Sequence, residues 1–138
     1  MPVIRSADAR VTTTPNAVMT TYASPTQGGT EAALWRVDMA AATSGPYHAI
    51  DADQIWTVLT GSLTADVDGE KLTAATGDTL VLPADVPRQL HSDTESGFSA
   101  IVTCPAGALA YNPNDITPPG ACGMAPKEAE RVLPPWIA

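Results

Sequence analysis

The chain has 138 residues, a net charge of −8 and 44% apolar residues, which predicts a single globular domain over residues 1–138. This net negative charge argues against binding to nucleic acids or to anionic membranes, because both kinds of binding require clustered Lys and Arg. No apolar run approaches the roughly 20 residues of a membrane helix, and the first twenty residues lack the apolar core of a secretory signal. We therefore expect a cytoplasmic protein.

Short runs rich in Val, Thr, Leu and Ile, separated by Gly and Pro, predict an all-β fold of antiparallel strands. In chain order the strands are expected at 34–39, 54–60, 62–67, 70–74, 79–82, 88–92 and 97–104. Gly61 is expected to end the second of these, and Asp68-Gly69 is the strongest hairpin signal. Turns spaced roughly every 8–12 residues indicate a sandwich or barrel, with its core at about residues 30–105.

The C-terminal segment 106–138 differs from the rest because it is rich in proline. A short helix is predicted over 126–133, since Pro126 suits a first helical turn and Pro134-Pro135 would end the helix. Trp136 and Ile137 are large apolar side chains. We expect this segment to be an ordered strap that lies on the barrel or on a partner subunit.

Few catalytic motifs can be recognised in the sequence. Cys104 and Cys122 form no metal motif, and in a reducing cytosol they are expected to be free thiols rather than a disulfide. We find no Ser/His/Asp or Cys/His arrangement and no Gly-rich phosphate loop.

Two segments nevertheless share the spacing of a known family. Segment 42–61 holds His48, Gln54 and Gly61 where that family has its first His, a Glu and a closing Gly. Segment 77–88 holds Gly77 and Pro83 where the second motif has Gly and Pro. In these features the chain resembles the cupin superfamily over about residues 30–105. The resemblance implies a jelly-roll β-barrel of antiparallel strands, with a cavity between its two sheets.

The resemblance also implies where a metal would bind. In metal-binding cupins the two motifs supply His, His, Glu and His to one divalent metal. The corresponding positions here are His48, Ile50, Gln54 and Arg88. Isoleucine has no ligating atom and arginine is a fixed cation, so we expect no metal cofactor. A weak metal site made by His48, Gln54 and His91 is the alternative, although residues 88 and 91 face opposite sides of a strand.

Strand alternation predicts the wall of the cavity. Residues 56 and 58 share a face with residue 54, and residue 90 shares one with residue 88. The predicted wall is mainly apolar with a few polar groups, as small-molecule sites are: His48, Gln54, Trp56, Val58, Arg88 and Leu90. By the same alternation Tyr47 is expected to face outward.

The Gln-x-Trp sequence at Gln54 and Trp56 resembles that of short stand-alone cupins associated with polyketide tailoring, including polyketide cyclases. This predicts a metal-independent cyclase, isomerase or dehydratase that acts on a polyketide-like or aromatic metabolite. His48 would be the general acid or base, and Arg88 would stabilise the oxyanion. Arg88 should also lower the pKa of a nearby His48, because a like charge disfavours the imidazolium.

A non-catalytic ligand-binding cupin is the alternative function. In that case His48 would be an inert partner of Gln54, and Arg88 would form an ion pair with Asp85 or Asp53. For either function we expect a small-molecule ligand and a homodimer, since most soluble oligomers have two-fold symmetry.

Overall fold

A computed structural model describes residues 1–115 and 129–138, in which β-strands dominate. The strands are β1 (Arg10–Thr13), β2 (Val18–Ala23), β3 (Ala32–Met39), β4 (Ala49–Ile50), β5 (Gln54–Val67), β6 (Glu70–Ala75), β7 (Thr79–Leu82), β8 (Arg88–Ser92), β9 (Phe98–Pro105), β10 (Ala110–Tyr111) and β11 (Arg131–Val132). Ser6–Asp8 and Pro113–Asp115 form short 3₁₀ turns. None of the helical turns in these residues is long and apolar enough to span a membrane.

Two antiparallel sheets share strand β5 and form a jelly-roll sandwich. The first sheet has the order β1-β2-β3-β9-β5-β7, and the second has the order β6-β5-β8. Strands β1 and β2 extend the first sheet with residues that precede position 30. A small third sheet, β11-β10-β4, lies at one end of the sandwich.

Gly61 lies within β5 instead of ending it. The residue has φ 71°, and a Cβ at this position would lie 2.0 Å from the carbonyl oxygen of Gly97, so only glycine fits. The register of β5 with β9 shifts between Val58 and Thr60. Before this point β5 pairs with β7, and after it β5 pairs with β6 and β8. Gly61 therefore lets one strand pass from the first sheet to the second.

The core lies between the sheets, where alternate residues of each strand point inward. Its fully buried side chains include Trp35, Val58, Leu63, Leu82 and Val102. The Trp56 and Phe98 rings pack together in this core with 6.4 Å between their centroids. Burial raises the pKa of the Cys104 thiol to about 11, so this thiol is protonated at neutral pH. Cys122 lies outside the described residues, and the state of both thiols stays a prediction.

The predicted helix over 126–133 is wrong in its described part, because none of residues 129–133 is helical and Arg131–Val132 form strand β11. Arg131–Val132 pair with Ala110–Tyr111 in an antiparallel ladder that satisfies the backbone groups. The Arg131 guanidinium lies 4.2 Å from the centre of the Tyr111 ring and 3.4 Å from Asp51 Oδ2. These contacts outweigh the weak helix preference of a segment flanked by prolines. Residues 126–128 lie outside the described residues.

The end of the strap lies on the barrel. Ile137 is fully buried in the core, and the Thr21 hydroxyl donates a hydrogen bond of 3.0 Å to the carbonyl oxygen of Trp136. The Arg10 guanidinium donates one of 2.7 Å to the Ala138 oxygen. Residues 129–138 are thus held at both ends, by Arg131 and by the contacts near Ala138.

Candidate functional site

A cavity of about 730 Å³ lies between the sheets, and the strap forms one side of it. Its wall includes all three tryptophans of the chain, Trp35, Trp56 and Trp136. Tyr47 and Tyr111 add two more aromatic rings. Flat aromatic surfaces of this kind suit an aromatic or polycyclic ligand.

His48 is half-buried and lies on the wall of this cavity. It exchanges two backbone hydrogen bonds with Arg88 of β8, of 3.0 and 2.8 Å, which puts both side chains on the same side of the sheet. The ring nitrogen Nδ1 lies 2.8 Å from the carbonyl oxygen of Pro46. Because a carbonyl only accepts, Nδ1 carries the hydrogen and Nε2 is bare in the neutral ring.

The environment of His48 favours its neutral form. Burial is the largest influence and lowers the pKa of His48; the hydrogen bond to Pro46 opposes this, and the Arg88 charge lowers the pKa further. The imidazole is therefore neutral near pH 7, and its Nε2 is available to accept a proton.

Gln54 begins β5 and is only 4% exposed, yet it lines the cavity. Its Oε1 accepts hydrogen bonds from the Trp56 indole at 3.2 Å and from Arg88 Nη1 at 3.5 Å. Both partners are obligate donors, which assigns the oxygen to their side of the amide. No acceptor among the described residues takes a hydrogen bond from Nε2. The Gln54 amide therefore has an unused donor for a ligand in the cavity.

Arg88 does not lie on the cavity wall, where the sequence predicted it. It is 1% exposed and lies behind Gln54, where its Nε donates to the Val86 carbonyl at 2.9 Å and its Nη2 to the Pro83 carbonyl at 2.7 Å. The loop between β7 and β8 turns the guanidinium toward these carbonyls. Burial lowers the pKa of Arg88, although a guanidinium stays charged in proteins.

The charge of Arg88 has no ionised partner in the described part of the chain. The alternatives that paired it with Asp85 or Asp53 are therefore wrong. Asp85 accepts a hydrogen bond from the Tyr111 hydroxyl at 2.8 Å, and Asp53 accepts one from the Ala84 amide. In the described residues, a buried positive charge thus lies next to the cavity without a salt bridge, and the Asp85 carboxylate acts on it only at longer range.

Of the other residues that were predicted to line the cavity, some lie on its wall and one lies in the hydrophobic core. Trp56 and Leu90 lie on the wall, where alternation places them, whereas Val58 is fully buried in the core away from the cavity. Tyr47 lines the cavity instead of facing outward. The reason is that segment 43–48 contacts β8 through isolated bridges rather than as a regular strand, so that alternation does not govern it.

The residues at the family's metal positions do not fit a metal. Ile50 offers no ligand, and the Gln54 oxygen is directed at the Arg88 cation. The alternative set of His48, Gln54 and His91 is also wrong, because His91 faces the outer surface and hydrogen-bonds there to Ser44 and Asp66. Within residues 1–115 and 129–138, no cluster of three or more His, Cys, Asp or Glu could hold a metal ion.

Sequence reasoning missed several wall residues, among them the aromatic Tyr111 and Trp136. Both reach the cavity through the third sheet and the strap, which have no motif spacing that links them to His48. The apolar character of Trp136 was the one available indication that the strap lies on the barrel.

Solved structures share this architecture at low sequence identity. The polyketide cyclase RemF from Streptomyces resistomycificus is 17% identical over 76% of this chain and 79% of its own, with a TM-score of 0.65. KdgF from a Halomonas species is 18% identical over 76% of this chain and 94% of its own, with a TM-score of 0.62. A salicylate 1,2-dioxygenase from Pseudoaminobacter salicylatoxidans is 22% identical over 70% of this chain but only 26% of its own, with a TM-score of 0.60.

No curated protein sequence matches the chain. A family model described as a cupin domain matches residues 35–104, which is about half of the chain and includes both motifs and the strands that form the cavity. The fold, the motif spacing and this match agree, and the chain belongs to the cupin family.

Proposed function

We propose that this cupin binds an aromatic, polyketide-like metabolite in its cavity and acts on it as a metal-independent enzyme: a cyclase, an isomerase or a dehydratase. The observation that carries the proposal is the pair of unused polar atoms in an aromatic cavity. Within the described residues, His48 Nε2 is an acceptor without a donor and Gln54 Nε2 is a donor without an acceptor. The similarity to the fold of a polyketide cyclase supports the choice of ligand class.

The chemistry that suits these two atoms is enolisation. His48 Nε2 would take a proton from a carbon next to a carbonyl group, and the Gln54 amide would donate a hydrogen bond to the carbonyl oxygen as it becomes an enolate. The enolate carbon could then attack a second carbonyl of the same ligand, which closes the ring and leaves an alkoxide that takes the proton back from His48. Loss of the resulting hydroxyl together with a neighbouring hydrogen, as water, would give the dehydrated ring. Return of the proton at another carbon would give isomerisation instead.

Arg88 acts in this proposal as a positioning residue. Its Nη1 and the Trp56 indole hold Oε1 of Gln54, which directs the amide nitrogen at the ligand. Its buried charge also favours an enolate in the cavity, because charges interact strongly where water is excluded. The predicted oxyanion stabilisation is thereby divided between Gln54, which touches the anion, and Arg88, which acts from behind it.

The experiment uses 2-tetralone, an aromatic ketone with exchangeable protons, in deuterated water. Proton NMR measures exchange at the carbon next to the carbonyl, and quenching of tryptophan fluorescence measures binding. The natural protein should accelerate exchange above the buffer rate. His48→Gln should bind the ketone and lose about 10²–10⁴-fold in exchange rate, and Gln54→Leu should lose about 10²–10³-fold.

Glu70→Gln is the control variant, because Glu70 is exposed at the start of β6, and its substitution should leave exchange unchanged. If the natural protein binds the ketone without accelerating exchange, the protein is a binding module. Exchange by His48→Gln at the natural rate would show that His48 is not the base.

We also propose a homodimer. The outer face of the first sheet exposes Leu34, Ile55 and Val81, and Ile55 and Val81 are direct cross-strand neighbours. Exposed apolar side chains that neighbour one another on the outer face of a sheet suit contact with a second copy. The molecular mass in solution at micromolar concentration should be that of two chains and should fall to one chain in Val81→Lys. A monomeric natural protein would contradict this.

A further inference from the structure

The outer face of the second sheet carries three side chains that the proposed function does not use. His91 Nδ1 lies 2.7 Å from the Ser44 hydroxyl, and His91 Nε2 lies 2.9 Å from Asp66 Oδ2. The three residues come from segment 43–48, β8 and β5. Their order is nucleophile, base and orienting carboxylate, as in the triad of serine hydrolases, but with the roles of the two ring nitrogens exchanged.

The hydrogen-bond chemistry assigns the proton on the His91 ring. An ionised carboxylate only accepts, so that Nε2 of the neutral ring must carry the hydrogen that it donates to Asp66. Nδ1 is then bare and accepts the hydrogen bond from the Ser44 hydroxyl. The ring is therefore in the tautomer that can remove the Ser44 proton.

Ser44 is exposed, and its own backbone can supply an oxyanion donor. The Gly45 amide donates to the Leu90 carbonyl, and the Ser92 amide donates to the Thr43 carbonyl, so that residues 43 and 45 direct these groups at β8. Ser44 and His91 face each other in an antiparallel bridge whose hydrogen bonds are made by the flanking residues, so the Ser44 N–H points away from β8. It donates to no acceptor in the described part of the chain.

We propose that Ser44 is a second, nucleophilic site that accepts acyl groups from activated esters. The Ser44 Oγ–carbon bond forms while His91 Nδ1 takes the hydroxyl proton, and this proton passes to the leaving oxygen as the ester C–O bond breaks. Water then attacks the acyl-serine, releases the carboxylic acid and restores Ser44. A single backbone donor on an open surface stabilises the oxyanion weakly, which restricts the substrate class to esters with good leaving groups, such as aryl esters.

This site is independent of the cavity, because His91 and Ser44 lie on the opposite side of the sheet from His48. The test therefore uses its own probe, an alkyl fluorophosphonate, with the full chain. Mass spectrometry of the intact protein counts the labels, and peptide mapping locates them. The natural protein should take one label, on Ser44, and should also hydrolyse p-nitrophenyl acetate faster than buffer does.

Three variants and a control test the roles of the residues. Ser44→Ala should take no label, and His91→Ala should label at least about 10²-fold more slowly, because the base is gone. Ser6→Ala is the matched control, since Ser6 is an exposed serine that makes no hydrogen bond to His91, and the variant should label as the natural protein does.

Asp66 is a positioning residue, so Asp66→Asn should slow labelling at least about tenfold and should also change the His91 tautomer, which ¹⁵N NMR of the ring detects. No labelling of the natural protein, labelling of Ser44→Ala at the natural rate, or a label on another residue would each overturn the proposal. An Asp66→Asn variant that labels at the natural rate with an unchanged tautomer would overturn the role of Asp66.

Discussion

The two histidines of this chain lie on opposite faces of the same sheet and have opposite hydrogen-bond patterns. His48 faces an aromatic cavity and donates from Nδ1 to a backbone carbonyl, which leaves Nε2 free. His91 faces the outer surface and donates from Nε2 to Asp66, which leaves Nδ1 to accept from Ser44. The comparison shows that the partner of one ring nitrogen decides which chemistry the other can perform.

Two neighbouring residues of β8 also face opposite sides of the sheet, and we expect them to contribute very differently to the free energy of unfolding. Arg88 points inward and satisfies the oxygens of Pro83, Val86 and Gln54, whereas Gln89 points outward and donates one hydrogen bond of 3.0 Å to the Gly45 carbonyl. Arg88→Ala should therefore reduce the free energy of unfolding by about 3 kcal/mol or more, through the cavity and the unpaired acceptors that it leaves. Urea denaturation measures this.

Gln89→Ala is the matched outward change, and it should cost only about 0.5–1.5 kcal/mol. Equal losses for the two variants would mean that Arg88 is not the structural support of the Gln54 side of the cavity.

A second contrast compares the strap with the outer face of the first sheet. Trp136 covers the cavity, so that Trp136→Ala should weaken the binding of a hydroxyanthraquinone about tenfold, or about 1.4 kcal/mol. Leu34→Ala removes an apolar side chain from the outer face and should leave the affinity unchanged. Tryptophan fluorescence, from Trp35 and Trp56 in the variant, reports both affinities. An unaffected Trp136→Ala would show that the ligand does not reach the strap.

The smallest expected effect is the pH dependence that His48 causes. Its pKa is lower in the folded protein than in the unfolded chain, because burial and Arg88 disfavour the imidazolium. The unfolded chain therefore takes up a proton first as the pH falls through its ordinary value of about 6.5, and stability decreases from there down to the folded-state pKa. Urea denaturation at pH 7.5 and pH 5.5 should show a smaller decrease for His48→Gln. The same decrease in both proteins would refute the lowered pKa.

Motif spacing predicted the fold, and it also predicted that His48, Gln54 and Arg88 lie close together. It could do so because the register of the strands follows from the lengths of the hairpins between the motifs. It could not predict the direction of the Arg88 side chain. The guanidinium turns to the carbonyls of the β7–β8 loop, and these are backbone groups without a sequence signature. The prediction that Val58 lines the cavity was wrong for a related reason. Alternation predicts on which face of a strand a side chain lies, but it does not predict how deep into the sandwich the cavity reaches.

The sequence could not predict the outer site or the structure of the strap, because both are formed by contacts between segments that are far apart in the chain. Ser44 and His91 are 47 residues apart, and His91 and Asp66 are 25 apart, so no local pattern connects them. The prolines around 126–133 suited a helix and an extended segment equally well, and pairing with β10 decided between them.

The proposed function requires that His48 offers a bare Nε2 to a ligand in the cavity. Long-range ¹H–¹⁵N correlation spectra at pH 7 distinguish the tautomers of both rings. We expect His48 to be protonated on Nδ1 and His91 on Nε2, and a bound hydroxyanthraquinone to shift the Nε2 resonance of His48. A His48 ring protonated on Nε2, or an Nε2 resonance that does not respond to the bound ligand, would contradict the proposed function.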